Sequence, residues 1–564
     1  MDYLNRRVGA MLNERSSWVP HWKQLNAQFS PRRGKFLYSD TNKGSKRNNL
    51  INNTPLFAKR TLVSGLMTGI TSPARPWFRY VPPDPGMADF GPVREWLDAA
   101  ERLSYRIFAA GNLYKVLPTV YEEACVFGQG VMIQEKDYND VLRYTPFTVG
   151  EYMLDIDDKL KVDTFGREFQ LTTLQTVQRY GIESVSHTVK NNYDNGNYSA
   201  WVPIRHIIER VGLSNFPALN VNKRFKYVSV TWEPGTDGLT KEKDKFLRVK
   251  GFHEFPILAP RWDAKAGDTY GFCPAMDALG DARALQVQER EKGKAVAKVV
   301  APPTTAPASL KNTNVSLLPG SNNFTDDPNN VFRAIYQIDP RINELRVDIK
   351  DTEERINRAF FVDLFLLISQ QDDIRTATEI AARQEEKLLQ LGPVLEGMFD
   401  ELLDPTLGNQ FSEIVRLSEP GWRGDGPMLL PPPPQELQGV ELKVEYISLL
   451  AQAQKIVATG AMERWVNFGG QLASVKPEAL DKINTDNVMD TMAEDLGVPA
   501  KAVNNDQEIQ KVREARKAQE QQQMAQDQAA QGIDTAKTLS EIPTNGDDAL
   551  SQLMSGAGIS SAVQ

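Results

Sequence analysis

Cysteine and histidine are scarce in this chain, and the motifs behind most enzyme chemistry are missing. Only two cysteines occur among 564 residues, Cys125 and Cys273. Two thiols cannot make a disulfide framework, and their scarcity fits synthesis in a reducing cytosol. The four histidines (His21, His187, His206, His253) form no H-E-x-x-H and no Cys/His ligand spacing, which argues against a zinc centre. No G-x-x-x-x-G-K-[ST] occurs: Gly34-Lys35 and Gly293-Lys294 run on into Phe36 and Ala295, so no loop is expected to cradle ATP phosphates. Gly128-Gln129-Gly130 lacks the third glycine of a dinucleotide fingerprint and reads as a tight helix-to-strand turn. A G-x-S-x-G elbow is also absent, and no cofactor is expected. Long apolar runs are missing too. The most apolar window, Ala359–Ile368, is ten residues long and contains Asp363, too short to cross a bilayer. The opening MDYLNRRVGAM has no apolar signal-peptide core. The cytoplasm or an assembled particle is the expected residence, with no membrane.

What remains is a globular composition, 41% hydrophobic and 24% charged, with room for three or four domain-sized units or one elongated subunit. The net charge of -8 is unevenly spread, since residues 1–60 hold twelve Lys/Arg against three Asp/Glu. Such an arm suits either a solvated subunit edge or contact with nucleic acid or an acidic neighbour. The acidic whole argues against tight general DNA binding, because neutralised phosphates supply most of that affinity. Asp155, Asp157, Asp158 and Asp163 have two readings: a Mg²⁺ site, or a turn where Asp is common.

Periodicity predicts helices over Met1–Phe29, Asn53–Ile70, Pro92–Gly111 and Leu117–Phe127. On the third, Trp96, Ala100, Leu103 and Ile107 share a face. Val131–Asp263 turns mainly to strands. Val228, Val230 and Trp232 alternate with Tyr227, Ser229 and Thr231, the period of a half-buried strand, and Phe246–Phe252 is its partner. A helix over Phe169–Tyr180 interrupts them. Next come a helix over Met276–Val300, a Pro/Asn/Ser-rich stretch over Ala301–Pro340, and a helix over Arg341–Ile368. The polar Ser369–Arg375 then precedes a further helix opened by a capping box, Thr376 to Glu379. Gly392-Pro393 predicts a kink in that last helix. At ~1.5 Å per residue, Arg341–Ile368 and Thr376–Leu403 would each reach about 42 Å, the length of a stalk. After Pro431–Pro434, helix is expected over Glu436–Gln531, followed by a disordered polar tail. The class is α+β, mainly helical.

Five stretches in order resemble the portal proteins, the head-to-tail connectors of short-tailed double-stranded-DNA phages. They are SGLMTGITSPARPWF (Ser64–Phe78), FGQGVM (Phe127–Met132), DTFGREF (Asp163–Phe169), RTATEIAARQEEKLLQLGP (Arg375–Pro393) and VEYISLLAQAQ (Val444–Gln454). The resemblance reaches to about residue 520. It implies a portal fold in a dodecameric ring at one capsid vertex, made in the host cytoplasm and resident in the virion. Carried onto this chain, the wing is 1–271 plus the long kinked helix of 376–430. The stem is 272–300 and 341–368, the clip 301–340, the channel loop 369–375 and the crown 431–520, with 521–564 as the tail. The channel loop would present Gln370, Gln371, Asp372, Asp373 and Arg375 to DNA, with Thr376 and Glu379 capping the next helix. The stem would line the channel with Arg283, Arg290, Lys294, Lys298, Arg346 and Lys350. In the clip, Asn312, Asn314, Phe324 and Phe332 would dock partners.

The implied partners are non-specifically bound double-stranded DNA, the terminase large subunit, tail adaptor and nozzle proteins, and capsid and scaffolding proteins. Portals are not enzymes; the terminase is the motor. Residues 276–300 and 341–375 together hold eleven Lys/Arg against twelve Asp/Glu, a balance that lets DNA slide rather than stick. Phe360, Phe361, Leu364, Phe365 and Leu367 are candidates for either ring cohesion or the protomer's own core. The competing classes are an internal virion or tail structural protein, and a metal-dependent DNA-processing enzyme built on the Asp155–Asp163 cluster.

Overall fold

The computed structural model describes residues 2–36, 50–84, 90–137, 140–211, 225–234, 246–300, 342–369, 391–418 and 429–452 with a few short gaps, and brief stretches elsewhere. The chain divides into two compact units, Met1–Ile483 and Asn484–Gln564. In the second, residues 509–519 form an almost wholly exposed helix.

Helices α1 (Asp2–Phe29) and α2 (Thr54–Gly69) are followed by β1 (Phe78–Val81), α3 (Gly91–Ala110) and α4 (Leu113–Phe127). In α3, Pro92 sits in the first turn, where its missing N–H costs nothing. Trp96, Ala100, Leu103 and Ile107 are buried as their spacing required. α4 begins four residues before Leu117 and carries Pro118 inside. It ends at Gly128, whose φ is 90° and whose added Cβ would lie 1.8 Å from the Gly271 carbonyl oxygen. A Cβ on Gly130 would lie 2.3 Å from the Val120 carbonyl oxygen. The Gly-Gln-Gly turn is therefore demanded by close backbone approach.

The β-rich part contains β2 (Val131–Asp137), β3 (Val141–Phe147), β4 (Tyr152–Ile156), β5 (Val162–Thr172), α5 (Thr173–Tyr180) and α6 (His187–Asp194). It continues with β6 (Trp201–Arg210), β7 (Tyr227–Trp232), β8 (Arg248–Phe252) and β9 (Ile257–Leu258). One antiparallel sheet has the order β4-β5-β6-β7-β8 and a smaller one β3-β2-β9. Three expectations need correcting. Phe169–Thr172 belong to β5, because Thr172 and Gln175 form the capping box that starts α5. α6, capped by Ser186, was not foreseen. β7 is covered on both faces rather than half-buried: Val228, Val230 and Trp232 pack on Leu4, Val8 and Met11 of α1, while Ser229 and Thr231 point to the other side. Three of the four aspartates have partners of their own. Asp155 pairs with Arg7 at 2.7 Å, Asp157 accepts the N–H groups of Lys159 and Lys161 at 2.9 Å each, and Asp163 accepts the Thr164 hydroxyl at 2.9 Å.

Next come the short α7 (Pro274–Asp277) and α8 (Leu279–Val300). Two-residue strands β10 (Thr304–Thr305) and β11 (Arg333–Ala334) pair antiparallel, and α9 (Ile342–Ala359) returns to pack against α8. The return helix does not run unbroken to Ile368. It stops at Phe360–Phe361, with Phe361 at φ 51°, and α10 (Val362–Ser369) restarts it. The left-handed region is unfavourable for a bulky residue, and packing holds it there. Phe360 is fully buried with its ring 5.4 Å from that of Phe29, and Phe365 lies on Gly65 of α2, where a Cβ would come within 1.9 Å of its ring.

A helix over 391–398 (α11) passes through Pro393, and its irregularity is the π-turn Phe399–Leu403 just before α12 (Asp404–Ser418). Glu401, on that turn, accepts from the Arg261 backbone N–H at 2.8 Å and pairs with its guanidinium. Finally, β12 (Lys443–Tyr446) pairs antiparallel with β1, inside a span expected to be helical. The edge of β1 supplies the missing hydrogen bonds, and Arg79 Nε meets Glu445 Oε2 at 2.5 Å across the pair.

Candidate functional site

The α8–α9 pair is the element singled out by the sequence, and its root is bolted to the segment before α2. Gln286, buried on α8, accepts from the backbone N–H groups of Ile51 (2.8 Å) and Asn52 (3.1 Å) and donates to the Asn52 carbonyl at 2.9 Å. The Asn52 amide donates in turn to Glu289 of α8 at 3.2 Å and to Glu353 of α9 at 2.7 Å. Arg355 of α9 pairs with Asp281 of α8 at 3.0 Å. One short polar segment thereby ties both α8 and α9 to the body.

Away from the root the pair presents two flanks of opposite charge. At ~100° per residue, Arg283, Arg290 and Lys294 fall on one exposed face of α8, with Lys298 close by. Val287 lies among them, 55% exposed. The Lys294 ammonium, 2.8 Å from Glu291, holds that carboxyl below its ordinary range. On α9 the exposed flank carries Glu344, Asp348, Asp351 and Glu354 around Val347, which is 58% exposed. Arg346 and Lys350 are exposed on another face of α9, Lys350 lying 4.0 Å from Glu354.

All six stem cations named from the sequence are thus at the surface. Gln370, Gln371, Asp372, Asp373, Arg375, Thr376 and Glu379 lie outside the described residues, as do Asn312, Asn314, Phe324 and Phe332 of the expected clip. Phe360, Leu364 and Phe365 are spent inside the protomer, all within its main core. Much of the basic arm is likewise used at home. Arg15 donates to the carbonyls of Gly150 (2.9 Å) and Tyr152 (3.0 Å), while Arg33 and Lys59 bind Glu122 at 2.8 and 2.6 Å. Sequence reasoning missed Gln286 and Asn52, which carry no motif; only their uncharged polarity beside a helical apolar stripe could have drawn attention.

The family described as bacteriophage head to tail connecting protein matches residues 2–503. The portal protein of Salmonella phage epsilon15 is 41% identical over 565 residues, covering 99% of this chain and 98% of that protein. A probable portal protein of Bordetella phage BPP-1 is 39% identical over 553 residues, covering 97% and 96%. A chain from the virion of a native gene transfer agent particle aligns over 85% of this chain and 99% of its own, at 10% identity and a TM-score of 0.32, too slight a likeness to carry an argument. With matches running almost end to end, the chain belongs to the bacteriophage head-to-tail connecting proteins, the portal family.

Proposed function

We propose that the protein closes into a dodecameric ring at one capsid vertex, with its α8–α9 pairs fencing a channel for double-stranded DNA during packaging and ejection. The observation that carries this reading is a helix pair rooted in part-buried polar contacts, its outer flanks exposed and charged. In this reading the wing is 1–271 with 376–430, the stem 272–300 with 341–368, the clip 301–340, the channel loop 369–375 and the crown 431–520. The clip, through Asn312, Asn314, Phe324 and Phe332, docks the terminase large subunit and later the tail adaptor and nozzle proteins; capsid and scaffolding proteins surround the wing. The portal is a structural connector of the virion, and the chemistry of translocation belongs to its partners.

A channel wall must not hold the duplex. Each phosphate neutralised releases counterions and steepens binding, so near-balanced charge along the stem suits sliding. Arg346 and Lys350 supply a weak attraction, and Asp372 and Asp373 of the loop keep the duplex off the wall. The basic face of α8 has a second use, favoured by the acidic flank of α9: it fits the neighbouring protomer. Negative-stain imaging of the purified full-length chain tests the assembly. Twelve-fold annuli with a central hole are expected; single protomers, hexamers or fibres at micromolar concentration overturn it.

A further inference from the structure

A second charged feature lies in the β-rich part, far from the stem in sequence. Arg167, His206, Thr231 and Arg248 stand in one register row across β5, β6, β7 and β8. Ser229 and Lys250 stand opposite each other two residues along. Side chains two apart on a strand share a face, so these groups look the same way. That face is opposed by the β2–β3 hairpin, with Glu135, Thr145 and Phe147, and by Arg179 and Tyr180 at the end of α5. Between them is a cavity of about 180 Å³.

Its charges do not cancel. Arg167, Arg179, Arg248 and Lys250 line it against one carboxylate, Glu135, which Lys250 approaches at 3.6 Å. Arg167 lies against the Phe147 and Phe169 rings, 4.8 and 4.3 Å from their centroids, which occupies its planar face and leaves its N–H edge free. Among the described residues, its buried Nε has no hydrogen-bond partner, and neither has Nδ1 of the buried His206. His206 Nε2 is taken by the Ser229 hydroxyl at 2.8 Å. Burial and the nearby Arg167, Arg179 and Lys250 push the imidazole well below its ordinary pKa. It is therefore neutral, and in the tautomer whose Nε2 accepts from the Ser229 hydroxyl it presents Nδ1–H as a donor.

Each buried donor left unpaired costs roughly 1–3 kcal/mol, and crowded cations add repulsion. Aromatic stacking accounts for the position of Arg167. Arg179 also stands over an aromatic ring, that of Tyr180, 5.7 Å from its centroid, but no ring accounts for Arg248 at the rim or for the orphaned imidazole nitrogen. A ligand with several acceptor oxygens and more than one negative charge answers both. The volume falls below the ~300–1,000 Å³ of sites that enclose drug-sized ligands, so the occupant is a group rather than a large molecule. We propose that this cavity binds a phosphate group, as the free ion or on a small monoester, with Arg167 and His206 donating from the floor and Arg179 and Arg248 closing the mouth.

The test uses the full-length assembled protein at fixed ionic strength, with thermal unfolding followed while inorganic phosphate replaces chloride. Phenyl phosphate forms a second arm. A saturable rise in Tm is expected with phosphate, and a matching rise with phenyl phosphate extends the ligand to monoesters. The R179Q/R248Q variant changes only exposed rim residues and, with less repulsion among the cations, should unfold no earlier than the wild type in chloride. It should need about tenfold more phosphate for the same rise, a loss of ~1.4 kcal/mol. A rise that never saturates, or one equal in the variant, overturns the proposal.

Discussion

Two adjacent carboxylates on α4 show how far one residue's surroundings decide its chemistry. Glu122 is half-buried, which alone would raise its pKa, but Lys59 and Arg33 outweigh burial and hold it below the ordinary range. Glu123, one position on, is fully enclosed. Burial pushes it up to about 7, although Arg33 at 3.6 Å, the Thr148 hydroxyl at 2.7 Å and the Val149 N–H at 3.0 Å all favour the ionised form. The folded state thus keeps a proton on Glu123 that the unfolded chain releases near pH 4.5. The stability Glu123 contributes is fully present below that value and is lost as pH rises through about 7. Glu123→Gln keeps the shape and removes the titration. Chemical denaturation at several pH values should show the wild type losing stability across this window, and the variant losing less. Parallel profiles for the two proteins would mean that Glu123 is already ionised in the fold.

At the scale of elements, the root of the α8–α9 pair depends on contacts made by one uncharged side chain. Gln286→Ala leaves two N–H groups and one carbonyl of the 51–52 segment without their partner. These groups are only part-buried, so the loss expected in denaturant unfolding is about 1 kcal/mol, the net worth of a hydrogen bond. A variant as stable as the wild type would show that Asn52 alone anchors the helices.

That dependence was invisible in the sequence, and the reason is physical. α3 was legible because its burial repeats every three to four residues, and the Gly128–Gly130 turn because glycine there has a steric cause. The break at Phe361 was not legible, since the apolar pattern continues through it and only packing against Phe29 and Gly65 selects the left-handed backbone. Nor was β12, whose Arg79–Glu445 pairing spans 366 residues of chain. The stem cations could be placed on helices by spacing, but what each helix faces is a tertiary fact.

For the whole molecule, ring closure imposes a requirement that no single protomer reveals. A head-to-tail ring joins two different surfaces of the same chain, and these must fit each other at every interface. α8 offers Arg290 and Lys294 beside the exposed Val287; α9 offers Asp351 and Glu354 beside the exposed Val347. Single surface ion pairs contribute only ~0.2–1 kcal/mol, but if these two flanks meet, apolar contact at the centre of each patch adds area and recurs around the ring. R290E/K294E sets like charges against one another at each such contact, so it should leave protomers or open fragments in size-exclusion chromatography at low salt. Adding D351K/E354K to the same chain restores the opposite signs and should restore closed rings. Recovery by the second pair is the decisive result, because a purely structural injury to α8 would not be mended by changes on α9. If R290E/K294E instead forms normal rings, the basic face looks into the channel. The defect should then appear as reduced DNA packaging, and the neighbour-facing reading of α8 is wrong.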